Sequence, residues 1–343
     1  MLATDRLSGI QLLRAAAALL IVLYHSGNGI TGFADKGYIV TLPFFYDRGF
    51  YAVDLFFAIS GFIICHVFDN ARFSIPSFYF RRFWRIYPIY ALFCLAAVVW
   101  FRAGLPQLGD NPGWDNIIAS ILIMPQIHLP IFAVGWTLEH EVIFYVLAGL
   151  ILPYSGKWGL FAVLMLLSAI GWSGVLGKTW DYHLLAPPQL QFAAGILAYL
   201  AHRNLPPGIP WWPLVGAGCV LYVLPETNVF YLDDYRAIVA LGSFLLILGW
   251  LRFDFHSYPR FERLAVHFGN LTYSAYLVHW IVFPVFGMAA AAVSLPWLIE
   301  PYRFAAIGVV FLVSYFFHVS IERPTLRLGR AIEASFSRSA RTV

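Results

Sequence analysis

Charge is what this sequence has least of. Only 12% of its 343 residues are Asp, Glu, Lys or Arg, where a soluble domain carries about 25%. With 60% hydrophobic residues and a mean hydropathy of +0.73, that shortage excludes a water-soluble globule and points to a polytopic membrane protein. Cysteine is nearly as scarce. Cys65, Cys94 and Cys219 are the only three, all in apolar stretches, so a disulfide framework is excluded and packing is the expected role. No His or Cys pair falls at ligand spacing, so no metal is expected. The net charge of +4 is spread over loops rather than gathered into a patch, which argues against nucleic acid as a partner. No internal repeat, heptad or interdomain linker is evident. The first apolar stretch contains Arg14 and lacks a small-residue cleavage site, so it is expected to stay as a helix.

What the chain does have is apolar segments and aromatics. Segments fall near 10–27, 50–68, 85–102, 138–153, 158–175, 188–202, 211–224, 237–251, 271–293 and 303–319. Aromatics reach 18%, and Trp211-Trp212 looks like an interfacial belt. The expected fold class is therefore all-α, a polytopic integral membrane protein with about ten transmembrane helices. Ten spans put both termini on one side. Assigning that side to the cytoplasm gives it 15 of the 22 Lys and Arg, as the positive-inside rule requires. Lys36, Arg48, Arg102, Lys178, Arg236 and Arg303 are left to the outer loops. The stretch 117–127 competes for an eleventh span, but it is short and contains Pro125, so it is expected to be interfacial or re-entrant. A single membrane domain over 1–324 is followed by a basic amphipathic tail, 325–343, expected along the inner membrane surface.

Three constellations could carry chemistry. Arg14 and His25 stand eleven residues apart in one apolar run, which is three helical turns plus roughly 20°, about 16 Å along the axis and on one face. A membrane-buried arginine is costly unless it binds an anion, and histidine is the side chain that moves protons near neutral pH. A salt bridge of Arg14 to Asp54 or Glu322, and a carbonyl-satisfied core histidine, are the structural alternatives.

The second constellation is GWTLEHEVIFY, 135–145. It sets Glu139, His140 and Glu141 at a helix start, with Thr137 as the expected N-cap and Glu141 deepest. A carboxylate there could orient His25 and balance its charge. The third is FYFRRFWRIYP, 78–88, where Arg81, Arg82 and Arg85 are interleaved with Phe83 and Trp84. Membrane anchoring explains basic residues at this end. Forked contacts to phosphate, with aromatics stacking on a base, explain three arginines in five residues equally well. Smaller features are VDLFFAISGF with Asp54, Ser60 and Gly61, and LTYSAYLVHW with Tyr273, Tyr276 and His279. SIERP is expected to close the last span at a breaking proline. His66, His183 and His318 are isolated and carry no expected role.

Taken in order, these motifs resemble the type-3 membrane acyltransferase family, and most of all its branch that O-acetylates exopolysaccharides in bacteria. The matching residues are Arg14 and His25, VDLFFAISGF, the RRFWRIYP run, WTLEHEVIFY, YSAYLVH and the closing IERP. The resemblance implies an acyl-CoA-dependent O-acyltransferase in the bacterial inner membrane, with ten helices. Acetyl-CoA or another acyl-CoA would be the donor substrate on the cytoplasmic side, with no cofactor held permanently. The acceptor would be a hydroxyl of a surface polysaccharide or of its lipid-linked precursor. Arg14 and His25 match the family's essential pair, and Arg81, Arg82 and Arg85 its cytoplasmic arginine motif. Many relatives carry two adjacent glutamates where this chain reads Glu141-Val142. Some relatives carry an extracytoplasmic esterase-like domain after the last helix and none is read here, so the chain is expected to handle its acceptor alone or to pass it to another protein, with polysaccharide-assembly proteins as expected partners. The rival readings are a transporter or flippase for a lipid-linked sugar or acyl carrier, a non-catalytic scaffold, and an acyltransferase acting on a lipid or small metabolite.

Overall fold

The computed structural model describes residues 7–28, 30, 49–70, 73–110, 113–173, 183–206, 208–223, 235–290 and 298–339. Among these residues every regular element is helical. Six helical stretches are long and apolar enough to cross a membrane: Ser8–Gly27, Gly49–Asp69, Ile75–Arg102, Ala133–Gly171, Pro259–Ala290 and Ile299–Phe336. Trp211–Val223 and Tyr235–Trp250 are shorter apolar helices. Of the basic residues expected in outer loops, Lys36, Arg48 and Lys178 lie outside the described residues.

In chain order the helices are α1 (Ser8–Asn28), α2 (Ala52–Asn70), α3 (Ile75–Arg102), α4 (Trp114–Ile121), α5 (Trp136–Ser173), α6 (Pro188–Asn204), α7 (Trp211–Val223), α8 (Tyr235–Trp250), α9 (Pro259–Ala290), α10 (Ile299–Phe317) and α11 (Arg323–Ser339). The chain divides into two compact units. The first gathers the described residues within 1–24, 44–71 and 154–272, and the second those within 25–43, 72–153 and 273–343. Helix α1 contributes to both.

The first unit is held by glycines that let backbones approach. A Cβ at Gly61 of α2 would overlap the Phe192 carbonyl of α6, and one at Gly195 of α6 would overlap the Ala58 carbonyl of α2. VDLFFAISGF is thus a packing surface, as small residues in membrane helices commonly are. Aromatic rings close one end: Trp211 stacks on Trp250 with centroids 5.6 Å apart, and Phe253, Phe255 and Phe261 pack around them. Cys65 is buried here, whereas Cys219 on α7 is exposed and so departs from the expected packing role.

Helix α5 covers the two segments expected at 138–153 and 158–175. Gly156, at φ 63° and ψ −167°, breaks it between them, a conformation open to glycine alone. The stretch 117–127 forms only the eight-residue α4, followed by Ile123 at φ 53°, a strained setting for a β-branched residue.

In the second unit, two boundaries move. Helix α3 begins at Ile75, ten residues before the expected span start, with Pro76 in its first turn, so its arginines ride on the helix itself. Pro324 does not break the chain after α10. A five-residue π turn, His318–Glu322, carries α10 straight into α11, with Pro324 in the first turn of the new helix.

Candidate active site

Each expected residue has a definite setting. Arg14, half-buried on α1, donates to Thr272 Oγ1 of α9 at 2.8 Å and to Gln11 Oε1 at 3.4 Å, within the first unit. The two carboxylates considered as its salt-bridge partners are engaged elsewhere. Asp54 is buried and lies 3.6 Å from Arg236. Glu322 accepts from Ser274 Oγ at 2.5 Å and from His318 Nδ1 at 2.8 Å.

His318, left without an expected role, completes a closed network at the π turn. Arg323 Nε lies 3.0 Å from His318 Nε2. An arginine can only donate, so Nε2 must carry the lone pair and Nδ1 the hydrogen that goes to Glu322. The three contacts of Ser274, His318 and Arg323 thereby have consistent donors and acceptors, as a stable buried network requires.

His25 opens the second unit. Its ring stacks on His279 of α9, with centroids 5.1 Å apart and planes 30° apart, and meets the edge of Trp280 at 4.8 Å. The next residue, Ser26, is fully buried and accepts from Arg303 Nη1 at 3.3 Å. Hydropathy assigns Arg303 to an outer loop. It is instead buried on α10, with Glu300 one turn before it accepting from Nε at 3.1 Å and Nη2 at 2.8 Å. The Glu-x-x-Arg spacing is the signal that could have found the pair.

The start of α5 is built differently from its expected cap. The helix opens at Trp136 after a short 3-10 turn, Ala133–Gly135. Thr137 is therefore inside the helix, and its hydroxyl lies 2.8 Å from Tyr276 Oη and 3.1 Å from the Val134 carbonyl. Tyr276 donates to that carbonyl at 2.9 Å, tying α9 to α5. Glu139 is the buried carboxylate of the motif, 2% exposed, and takes a hydrogen bond from Gln126 at 3.3 Å. Glu141 is half-buried and accepts a short hydrogen bond from Tyr145.

Through Tyr145 the glutamate joins the arginine run. The Arg82 guanidinium lies over the rings of Tyr145, at 5.2 Å, and Phe78, at 5.6 Å. Arg85 and Glu141 both act electrostatically on the hydroxyls of Tyr145 and Tyr273. Tyr273 donates to the Ile86 carbonyl at 2.8 Å. Arg81 points the other way, donating through Nε to both carboxylate oxygens of Glu333 on α11. Neither Arg82 nor Arg85 is ion-paired to a carboxylate among the described residues. His25, Glu141, Arg82 and Arg85 thus all belong to one compact unit, and neither of these two guanidinium groups is ion-paired to a carboxylate among the described residues.

Comparison with known proteins gives that arrangement a family. Residues 7–319 match the family model described as an acyltransferase domain, Acyl_transf_3. The chain is 29% identical over 302 residues to the exopolysaccharide production protein ExoZ of Rhizobium meliloti (strain 1021), covering 81% of this chain and 90% of that protein. It is also 30% identical over 147 residues to the acyltransferase MdmB of Streptomyces mycarofaciens, covering 41% of this chain and 38% of that protein. No solved structure matches it. With the family model covering nearly its whole length, this multi-pass membrane chain belongs to the acyltransferase-3 family.

Proposed function

We propose that the protein moves an acetyl or other short acyl group from cytoplasmic acyl-CoA to a hydroxyl of a surface polysaccharide or its lipid-linked precursor. The family membership supports acyl transfer over transport, and the similarity to an exopolysaccharide production protein supports a glycan acceptor. The observation on which this reading of the chemistry rests is that His25, stacked on His279, lies in the same compact unit as Arg82 and Arg85, neither of which is ion-paired to a carboxylate among the described residues.

In the proposed reaction His25 takes the proton of the acceptor hydroxyl as its oxygen attacks the thioester carbonyl. The new C–O bond forms, the C–S bond breaks, and the imidazolium returns the proton to the departing thiolate. Direct attack needs no covalent enzyme intermediate. Glu141 is proposed to balance the charge on the imidazolium across the low-dielectric interior. Arg82 and Arg85 would hold the donor's phosphates, for which forked guanidinium groups are suited, and Arg14, in the first unit, is proposed as a further anion-binding residue. Arg81 is oriented by Glu333 and sets the edge of this site. Ten spans, cytoplasmic termini and an inner-membrane location complete the reading.

Its test is mass spectrometry of surface polysaccharide from a deletion strain, with and without the gene restored. An acyl mass that disappears on deletion and returns on restoration supports the proposal. An unchanged polysaccharide, together with no acceptor-dependent release of free CoA by the purified protein, would refute it.

A further inference from the structure

The acid–base step uses one imidazole, and a second lies stacked against it. His279 is fully buried, with its Nδ1 3.0 Å from the carbonyl oxygen of Ala275, one turn back on α9. A carbonyl only accepts, so Nδ1 carries the ring hydrogen and Nε2 presents a bare lone pair. Among the described residues that Nε2 has no hydrogen-bond partner. Buried acceptors without a donor are rare, because the group has given up water for nothing.

Two neighbouring donors are already committed. Trp280, whose ring lies 5.9 Å from His279, donates through Nε1 to the Leu108 carbonyl at 2.6 Å. Tyr276, at 5.8 Å, donates to the Val134 carbonyl. Phe283, at 6.0 Å, has nothing to donate. No described residue supplies the missing partner, and whatever completes Nε2 must carry a hydrogen. Phosphate oxygens and a thioester carbonyl cannot supply one, whereas a hydroxyl can.

We propose that Nε2 of His279 accepts a hydrogen bond from a second hydroxyl of the acceptor, next to the hydroxyl that His25 deprotonates. The two stacked rings would read two neighbouring hydroxyls, which makes the acceptor class a polyol such as a pyranoside ring. His279 is then a positioning residue that sets acceptor specificity. This rests on the acyl-transfer reading above, but binding tests it separately.

The experiment uses the full chain in lipid nanodiscs with methyl β-glucopyranoside and its monodeoxy analogues. Binding is followed by saturation-transfer NMR and transfer with radiolabelled acetyl-CoA. The wild type should favour the full polyol over at least one deoxy analogue by roughly tenfold, the worth of one neutral hydrogen bond with its buried partner left unpaired. His279→Phe keeps a planar ring without the acceptor nitrogen. It should flatten that preference while leaving the KM for acetyl-CoA unchanged, and His279→Gln, which restores an acceptor atom, should recover part of it. If His279→Phe does not accumulate, His279→Met takes its place. A preference that survives loss of the nitrogen, or a wild type that binds no pyranoside, overturns the proposal. Selective binding without acetyl transfer would leave it standing and sink the proposed reaction instead.

Discussion

Arg81 on α3 and Glu333 on α11 are joined by a forked contact, Nε lying 2.7 and 2.9 Å from the two carboxylate oxygens. Ser77 donates to the same glutamate, and Gly329 lets α11 sit directly on the Trp84 ring. One of the three arginines expected to grip the donor is thus already neutralised, while Arg82 and Arg85 are not.

That difference orders their effects. Arg85→Ala should weaken CoA binding by roughly tenfold, the scale of one lost charge-assisted hydrogen bond. Arg81→Ala should cost much less, since its charge is spent on Glu333. Glu333→Gln should tighten CoA binding at low salt by freeing Arg81. Calorimetry on the protein in nanodiscs checks all three, and equal losses for the two arginines would remove the distinction.

For His25, substitution by Ala should abolish transfer while the protein accumulates and melts normally, because no charge is stranded. Loss of a general base costs about 100- to 10,000-fold in rate. More than a tenth of wild-type kcat would take His25 out of the mechanism.

The π-turn network makes a prediction about stability rather than rate. Glu322 accepts from both Ser274 and His318, so Glu322→Ala leaves two buried donors unmatched. Each unmatched donor costs about 1–3 kcal/mol, enough to lower the melting temperature clearly. His318→Phe leaves Glu322 its bond from Ser274 but takes the acceptor from Arg323 Nε, stranding one donor, and should fall between that variant and wild type. Melting curves in detergent that superimpose for all three would show the network to be dispensable.

Much of this fold is legible in the sequence, and the misses have a common cause. Long apolar runs identify helices because lipid forces the backbone to satisfy itself, so α1, α2 and both halves of α5 lie where hydropathy puts them. The start of α3 escapes hydropathy because Arg81, Arg82 and Arg85 lower it without ending a helix. Arg303 reads as a loop cation and His318 as a lone histidine. Ser26 is 277 residues from Arg303, and the Ser274 that shares Glu322 with His318 is 48 residues from that glutamate, so only folding brings these groups together. His279 is visible mid-helix, but its stacking on His25 is a tertiary fact with no sequence spacing behind it. Hydropathy finds what faces lipid and says little about what faces another helix.

Glycine packing in the first unit is testable by contrast. Gly61→Ala and Gly195→Ala put a methyl group into a neighbouring carbonyl and should lower membrane accumulation and melting temperature. At Gly216, within α7, an added methyl group would meet nothing within 4 Å, so Gly216→Ala should be neutral or stabilise by up to about 1 kcal/mol through helix propensity. Equal outcomes for the three would mean that close approach of α2 and α6 is not what holds them.

Sidedness gives the last prediction, because it decides whether donor and acceptor can enter from opposite faces. The proposed ten-span arrangement puts Gln107 outside and Ser257 in the cytoplasm, and both side chains are exposed on loops. If 117–127 crossed the membrane as well, Ser257 would move outside together with Arg252, Arg260 and Arg263, against the positive-inside rule. Cys65 and Cys94 are buried, so replacing the exposed Cys219 by Ser removes the one accessible native thiol among the three. In that background, Gln107→Cys should react in intact cells with an impermeant maleimide, and Ser257→Cys should react only after permeabilisation. Labelling of both from outside would require an eleventh crossing between them. Labelling of Ser257→Cys alone would invert the chain and place the arginines of α3 on the face where no acyl-CoA is found.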